Sequence, residues 1–163
     1  MEYNRFAAIQ YARRWAFRRN PVYYNFDEIG GDCTNFVSQA VYAGAGVMNF
    51  TPDFGWYYIS ADLRAPAWTS VQYFYNFMTT NEGPGPFGVE ADLSVARPGD
   101  VIQLAYNGNE QFTHTLLVVG TGQNPRPQNI LLAAHTRDAY RRRMSTYNYT
   151  NARLIHIEGV REP

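Results

Sequence analysis

One cysteine and three histidines are spread along this chain, and their surroundings suggest different tasks. Cys33 follows Gly30-Gly31-Asp32 and precedes Thr34-Asn35-Phe36-Val37. Asp32 is a residue type that caps helix N-termini, and Phe36, Val37 and Ala40 continue from Cys33 along one helical face. The pattern predicts a helix over 33–43 with the sulfur in its first turn. Unpaired backbone N–H groups and the helix dipole favour thiolate there, and the thiolate is the nucleophile. The two glycines let other backbone approach closely. A lone cysteine is otherwise a small buried hydrophobe, so position carries this assignment.

A nucleophilic thiol needs a base. His114 opens the apolar run Thr115-Leu116-Leu117-Val118-Val119, which predicts a strand deep in a sheet. A titratable side chain at the mouth of such a strand needs a partner. His135 ends a second apolar run, Ile130 to Ala134. A simple hairpin centred between Asn124 and Pro125 sets His135 opposite His114, with Cβ atoms about 5 Å apart, so that one imidazole orients the other. A bulge would shift that register. His156 alternates with Ile155 and Ile157 and is expected to face solvent without a catalytic role.

Composition narrows the chemistry. The chain has one domain's length, 163 residues, with 45% hydrophobic and 17% charged, which is a globular balance. The formal net charge of zero gives no footprint for nucleic acid. All basic residues are Arg, which excludes a Schiff-base lysine and a P-loop. With one Cys there is no internal disulfide, and this leaves the redox compartment open. No apolar run is long enough to span a membrane, and Met1 to Arg5 lead straight into an amphipathic stretch with no signal peptide visible. Localisation therefore stays open between an envelope protein that lost its signal and a cytoplasmic one.

The elements that must position these residues follow from periodicity. Helices are expected over 4–19, capped by Asn4 and ended at Asn20-Pro21, over 33–43 with Gly44 as C-cap, and over 68–78. Residues 44–67 and 79–99 read as loops. Strands are expected over 100–105, 113–119, 129–135 and 153–158, with Asn107-Gly108-Asn109 turning between the first two. Helices first and strands after predict an α+β fold, N-terminal helices packed on a C-terminal antiparallel sheet, in a single domain over 1–163.

The chain resembles the papain-like cysteine peptidase superfamily in its NlpC/P60 and CHAP branches, and most closely the bacterial putative amidase domain family. The resemblance is carried by Tyr11-Ala12, Asn20-Pro21-Tyr23, the block Asp32-Cys33-Thr34-Asn35-Phe36-Val37-Ser38-Gln39, Trp56-Tyr57-Tyr58, Trp68, Pro98-Gly99-Asp100-Val101 and His114. It implies a papain-like fold and hydrolysis of an amide bond through a thioester. Cys33 would be the nucleophile and His114 its base, with His135 orienting His114 and Asp138 the second choice for that role. The Cys33 N–H would serve the oxyanion hole, and Tyr24, ahead of Tyr23, would help. Asp32 is taken as the structural cap. A papain-style oxyanion Gln is absent, because Asp27 stands six residues before Cys33.

Trp56, Tyr57 and Trp68, on or beside the irregular stretch, are candidates for stacking on substrate, although a small core holding the loop explains them too. Arg137 and Arg141 to Arg143 suit either an anionic substrate or a solvated edge. The branch makes a peptide or simple amide, including peptidoglycan peptide, the expected substrate, with no cofactor and no metal. Two other classes compete. One is an inactive binding module for a glycan or peptide. The other is a metal site of Cys33, His114 and His135, whose spacing is uncharacteristic of one.

Overall fold

A computed structural model describes residues 1–163, and it is an α+β fold with few helices and one large antiparallel sheet. Helix α1 spans Arg5–Trp15, and the Asn4 side chain caps it by accepting the Ala7 N–H. It stops short of the expected residue 19. The Trp15 carbonyl there accepts a hydrogen bond from the His135 ring and from Arg18 N–H (3.3 Å), so helical bonding does not continue.

Helix α2 spans Cys33–Ala45, two residues beyond expectation, because its left-handed C-cap is Gly46 (φ 69°) and not Gly44. Gly44 is an internal helical residue with another function. A Cβ there would lie 2.6 Å from the Asn4 carbonyl oxygen and from the Tyr3 ring, so glycine lets the N-terminus cross α2 closely. The expected helix over 68–78 is two helices, α3 at Pro66–Thr69 and α4 at Val71–Thr80. Ser70 is extended between them and caps α4 through its hydroxyl, which accepts the Tyr73 N–H.

Six strands form one sheet in the order β1-β6-β2-β3-β4-β5. They are β1 Gly85–Ala91, β2 Val101–Ala105, β3 His114–Gly120, β4 Leu131–Ala134, β5 Ala139–Arg143 and β6 Asn151–Arg161. Two were not expected. Strand β1 contains Gly85 and Pro86, which punctuate loops, but it is an edge strand and tolerates proline. Strand β5 is short, charged and at the other edge, so it lacks an apolar signal.

Strand β3 is central, and its residues from His114 to Val119 are all buried. Its sides alternate. Leu117 and Val119 join Ala133, Phe36 and Val37 in the core under the helices, whereas Leu116 and Val118 join Leu132, Ala134 and Tyr147 in a second core on the far side. The β3–β4 register pairs Leu117 with Ala133 and Val118 with Leu132, with a bulge before Gly120. This is one residue away from the expected hairpin. Continued past Ala134, it aligns His135 with Thr115 and not with His114. A one-residue slip sends a side chain to the other face, so the two histidines part.

Asp100 ties the two ends of the chain to the sheet. One carboxylate oxygen accepts from Arg5 Nη1 (2.8 Å) and Ile157 N–H (3.0 Å). The other accepts from Arg97 N–H (2.9 Å) and His156 Nδ1 (2.8 Å). His156, expected to face solvent freely, is therefore only 24% exposed in its side chain and anchored. These residues border a cleft of about 740 Å³ that contains no nucleophile.

Candidate active site

Gly30 and Gly31 both adopt positive φ (81° and 93°), and this turn delivers the chain to the N-terminus of α2. Asp32 holds the N-cap position without capping through its side chain, contrary to expectation. Its carboxylate is used elsewhere. Oδ1 accepts from Phe26 N–H (2.9 Å) and Asn35 Nδ2 (2.9 Å), and Oδ2 meets His135 Nδ1 at 2.5 Å. The other His135 nitrogen, Nε2, meets the Trp15 carbonyl at 2.7 Å. A carbonyl only accepts, so Nε2 donates to Trp15. Arg19 Nε lies 3.7 Å from Oδ2. His135 is buried beside Asp32, each side chain only 1% exposed, with its ring stacked on Phe36 at 4.0 Å. Neither nitrogen is free for His114.

The rest of the motif is similarly committed. Asn35 donates to the Tyr24 carbonyl (3.0 Å) and accepts from Trp68 Nε1 (3.0 Å). Ser38 accepts from Trp56 Nε1 (3.1 Å), and Gln39 accepts from Tyr11 (2.5 Å). Each of these side chains fastens α2 to a different segment. Trp56 and Trp68 are fully buried, which corrects their expected place on the substrate, and only Tyr57 of that trio reaches the surface, against Phe50. Asp138 pairs with Arg19 through two bonds of 2.9 Å, together with Asp27, and does not orient His114. Tyr24 is 46% exposed beside this loop, with its ring edge-on to Phe26.

Cys33 is the exception. Its backbone N–H has no acceptor within the protein, as suits an oxyanion donor at a helix start. Its sulfur lies 3.8 Å from Thr34 Oγ1. Burial pushes the thiol above its ordinary value, against the polar groups of Thr115 and Thr34, and the Asp32 charge pushes the same way.

His114 follows β3's alternation onto the face away from α2, its ring 6.3 Å from that of Tyr147, and lines an open cleft of about 630 Å³ with Tyr106, Thr136, Arg137 and Arg142. Its ring nitrogens make no hydrogen bond to protein, and none to the Cys33 sulfur. Burial, aided by the positive charge of Arg142, lowers its pKa from an ordinary 6.5 to about 4. Both groups are therefore neutral near pH 7. Tyr106 lines the His114 cleft. Sequence reasoning missed it. The available signal was an aromatic residue placed between a buried strand and the Asn107-Gly108 turn. Thr136, beyond His135, holds a left-handed φ of 63° although β-branched, a strained geometry typical of functional loops.

No three His, Cys, Asp or Glu side chains converge as metal ligands, and no helix is long and apolar enough to cross a membrane.

The lowered His114 pKa has a stability consequence. The unfolded chain binds a proton at about pH 6.5 and the native chain only at about pH 4, so between these values the unfolded state holds more protons. Stability from His114 is fully present above pH 6.5 and is lost as pH falls toward 4, by about 3 kcal/mol at most. Urea unfolding of wild type and His114→Gln across this window will show a shallower pH slope for the variant. Parallel slopes would contradict the burial of a neutral imidazole.

The chain is 32% identical over 154 residues to the uncharacterized protein YhbB of Bacillus subtilis (strain 168), a match covering 93% of this chain and 46% of the relative. The chain thus spans about half the length of that relative. No solved structure gives a significant match. A family profile described as a putative amidase domain matches residues 2–158, nearly the whole chain, and with it the helix, the strand and the cleft described above. The chain belongs to this putative amidase domain family.

Proposed function

We propose that the chain is a cysteine-dependent hydrolase of amide bonds, papain-like in its chemistry, with Cys33 as nucleophile and His114 as base. One observation carries this reading. In a motif whose neighbouring polar side chains are consumed by structural ties, Cys33 keeps a free backbone N–H at the start of α2 and a sulfur whose one side-chain contact is Thr34 Oγ1 at 3.8 Å, and His114, at the start of β3, has no protein partner. Family membership supports amide hydrolysis as the reaction.

The chemistry balances on these two groups. The reaction requires the His114 imidazole to come within hydrogen-bond reach of the sulfur once substrate is bound, since catalytic contacts tighten only in the complex. The imidazole takes the thiol proton while sulfur attacks the carbonyl carbon. The Cys33 N–H stabilises the oxyanion. His114 then protonates the leaving amine as the C–N bond breaks, leaving a thioester. Water adds to the thioester with His114 as base, the acid departs, and the proton returns to sulfur. His135 serves through Asp32, by fixing the start of α2. Tyr106 borders the His114 cleft, and Tyr24, whose carbonyl accepts from Asn35, is the supporting tyrosine upstream of the nucleophile.

The substrate we propose is a peptide amide with a carboxylate near the scissile bond, of the kind found in bacterial cell-wall peptide. Arg137 and Arg142 border the cleft and suit that charge. The test is amine release from cell-wall stem peptides and from neutral amides of matched length. The expected result is release dependent on Cys33 and faster for the carboxylate-bearing set. Release that persists in Cys33→Ala would overturn the mechanism. Equal rates for both sets would overturn the substrate preference alone.

A further inference from the structure

A buried chain of polar side chains runs from the far side of β2 to the Cys33 sulfur. Arg153 Nε and Nη2 donate to Gln103 Oε1 at 2.9 and 2.7 Å. Gln103 Nε2 donates to the Val71 carbonyl (2.9 Å) and to Thr115 Oγ1 (3.3 Å). Thr115 Oγ1 lies 2.8 Å from Thr34 Oγ1, which lies 3.8 Å from Cys33 Sγ. Gln103, Thr115 and Thr34 are all essentially inaccessible to water.

The direction of every proton in this chain follows from its far end. Arg153 can only donate, so Gln103 must present its oxygen to it and its NH₂ to Thr115. Thr115 thereby accepts, and the one acceptor left for its own hydrogen is Thr34. Thr34 accepts in turn, and the one acceptor left for its hydrogen is the sulfur. Reversal at any link would leave a buried hydroxyl hydrogen without a partner, which folded proteins avoid.

We propose that Thr34, Thr115, Gln103 and Arg153 form a directional hydrogen-bond relay that delivers a hydroxyl proton to the Cys33 sulfur and stabilises its thiolate. These are positioning residues, and Thr34 is the one that touches the reacting atom. The assignment rests on Cys33 being the nucleophile for its catalytic meaning, although its effect can be read on the sulfur directly. The relay works against the burial that raises this thiol. A thiolate accepts a hydrogen bond far better than a thiol does, so losing the donor raises the thiol further.

The test uses the chain's sole cysteine. Thiolate formation is followed against pH by ultraviolet absorbance and by iodoacetamide alkylation in wild type, Thr34→Val and Thr34→Ser. Valine keeps the shape and removes the donor, whereas serine restores it. The relay predicts that Thr34→Val is alkylated about tenfold more slowly at a fixed pH below the titration, equivalent to about one pKa unit, while Thr34→Ser follows wild type. Coincident Thr34→Val and wild-type titrations would overturn it. Should Thr34→Val not fold, Arg153→Met, changed at the half-exposed far end, is expected to move the titration upward, and an unmoved titration there overturns the relay equally. The two proposals fail separately. Shifted titrations without amide hydrolysis would remove the nucleophile and keep the relay. Hydrolysis with unshifted titrations would remove the relay and keep the nucleophile.

Discussion

Cys33→Ala is expected to abolish amide hydrolysis, by about 10³-fold or more, while leaving the fold intact. The contrast between these two effects is the informative part. Around Cys33, the Asp32, Asn35, Ser38 and Gln39 side chains each hold another segment in place, so their loss would damage structure and activity together. The Cys33 sulfur holds nothing in place beyond a long contact with Thr34. Replacing it removes one small buried side chain, at a cost of about 1 kcal/mol. Activity assays with urea unfolding of the same samples check both halves. A variant that stays folded and still hydrolyses amide at more than a tenth of the wild-type rate would rule out Cys33 as the nucleophile.

Asp32→Ala is expected to do the opposite and act mainly on stability. It leaves the buried His135 Nδ1 without its partner and takes the acceptor from Phe26 N–H and from Asn35. Each buried group left unsatisfied costs about 1–3 kcal/mol, so the loss is on the order of 3 kcal/mol or more, against a typical total stability of about 5–15 kcal/mol. The midpoint of urea unfolding should fall sharply. His135→Gln should fall less, since a neutral donor can still meet the carboxylate. A loss below about 1 kcal/mol in Asp32→Ala would mean that the pair does not hold the start of α2.

The parts of this site that were legible in the sequence are those fixed locally. The helix beginning at Cys33 follows from the run Phe36-Val37-Ala40, and the β2–β3 hairpin follows from two apolar runs flanking Asn107-Gly108, both of which take positive φ. Asp32 was recognisable as a structural residue, but not for the right reason. A local pattern suggests a cap, whereas its true partner, His135, arrives from 103 positions away. That meeting depends on the β3–β4 register, and the bulge before Gly120 changes it by one residue. Such a change reverses the facing of every side chain in the strand, so His135 joins α2 and His114 remains alone in the cleft. Trp56 and Trp68 misled for a related reason. They lie on chain without long regular elements, yet their indole N–H groups are claimed by Ser38 and Asn35, and the loop folds inward around them. Strand β1 was hidden because Gly-Pro-Gly-Pro is turn chemistry everywhere except at a sheet edge.

Neutral resting groups also set an expected pH profile. Hydrolysis needs one proton shared between Cys33 and His114, and it should fall on the acid side only as His114 protonates, near pH 4.

The most direct measurement of the central claim is mass spectrometry of the protein acid-quenched during turnover of an N-acyl nitroanilide. A covalent mechanism through Cys33 predicts the mass of the acyl group on the peptide containing Cys33, slower to accumulate in His114→Ala and absent from Cys33→Ala. Turnover with no acyl group on Cys33, continuing undiminished in Cys33→Ala, would contradict it.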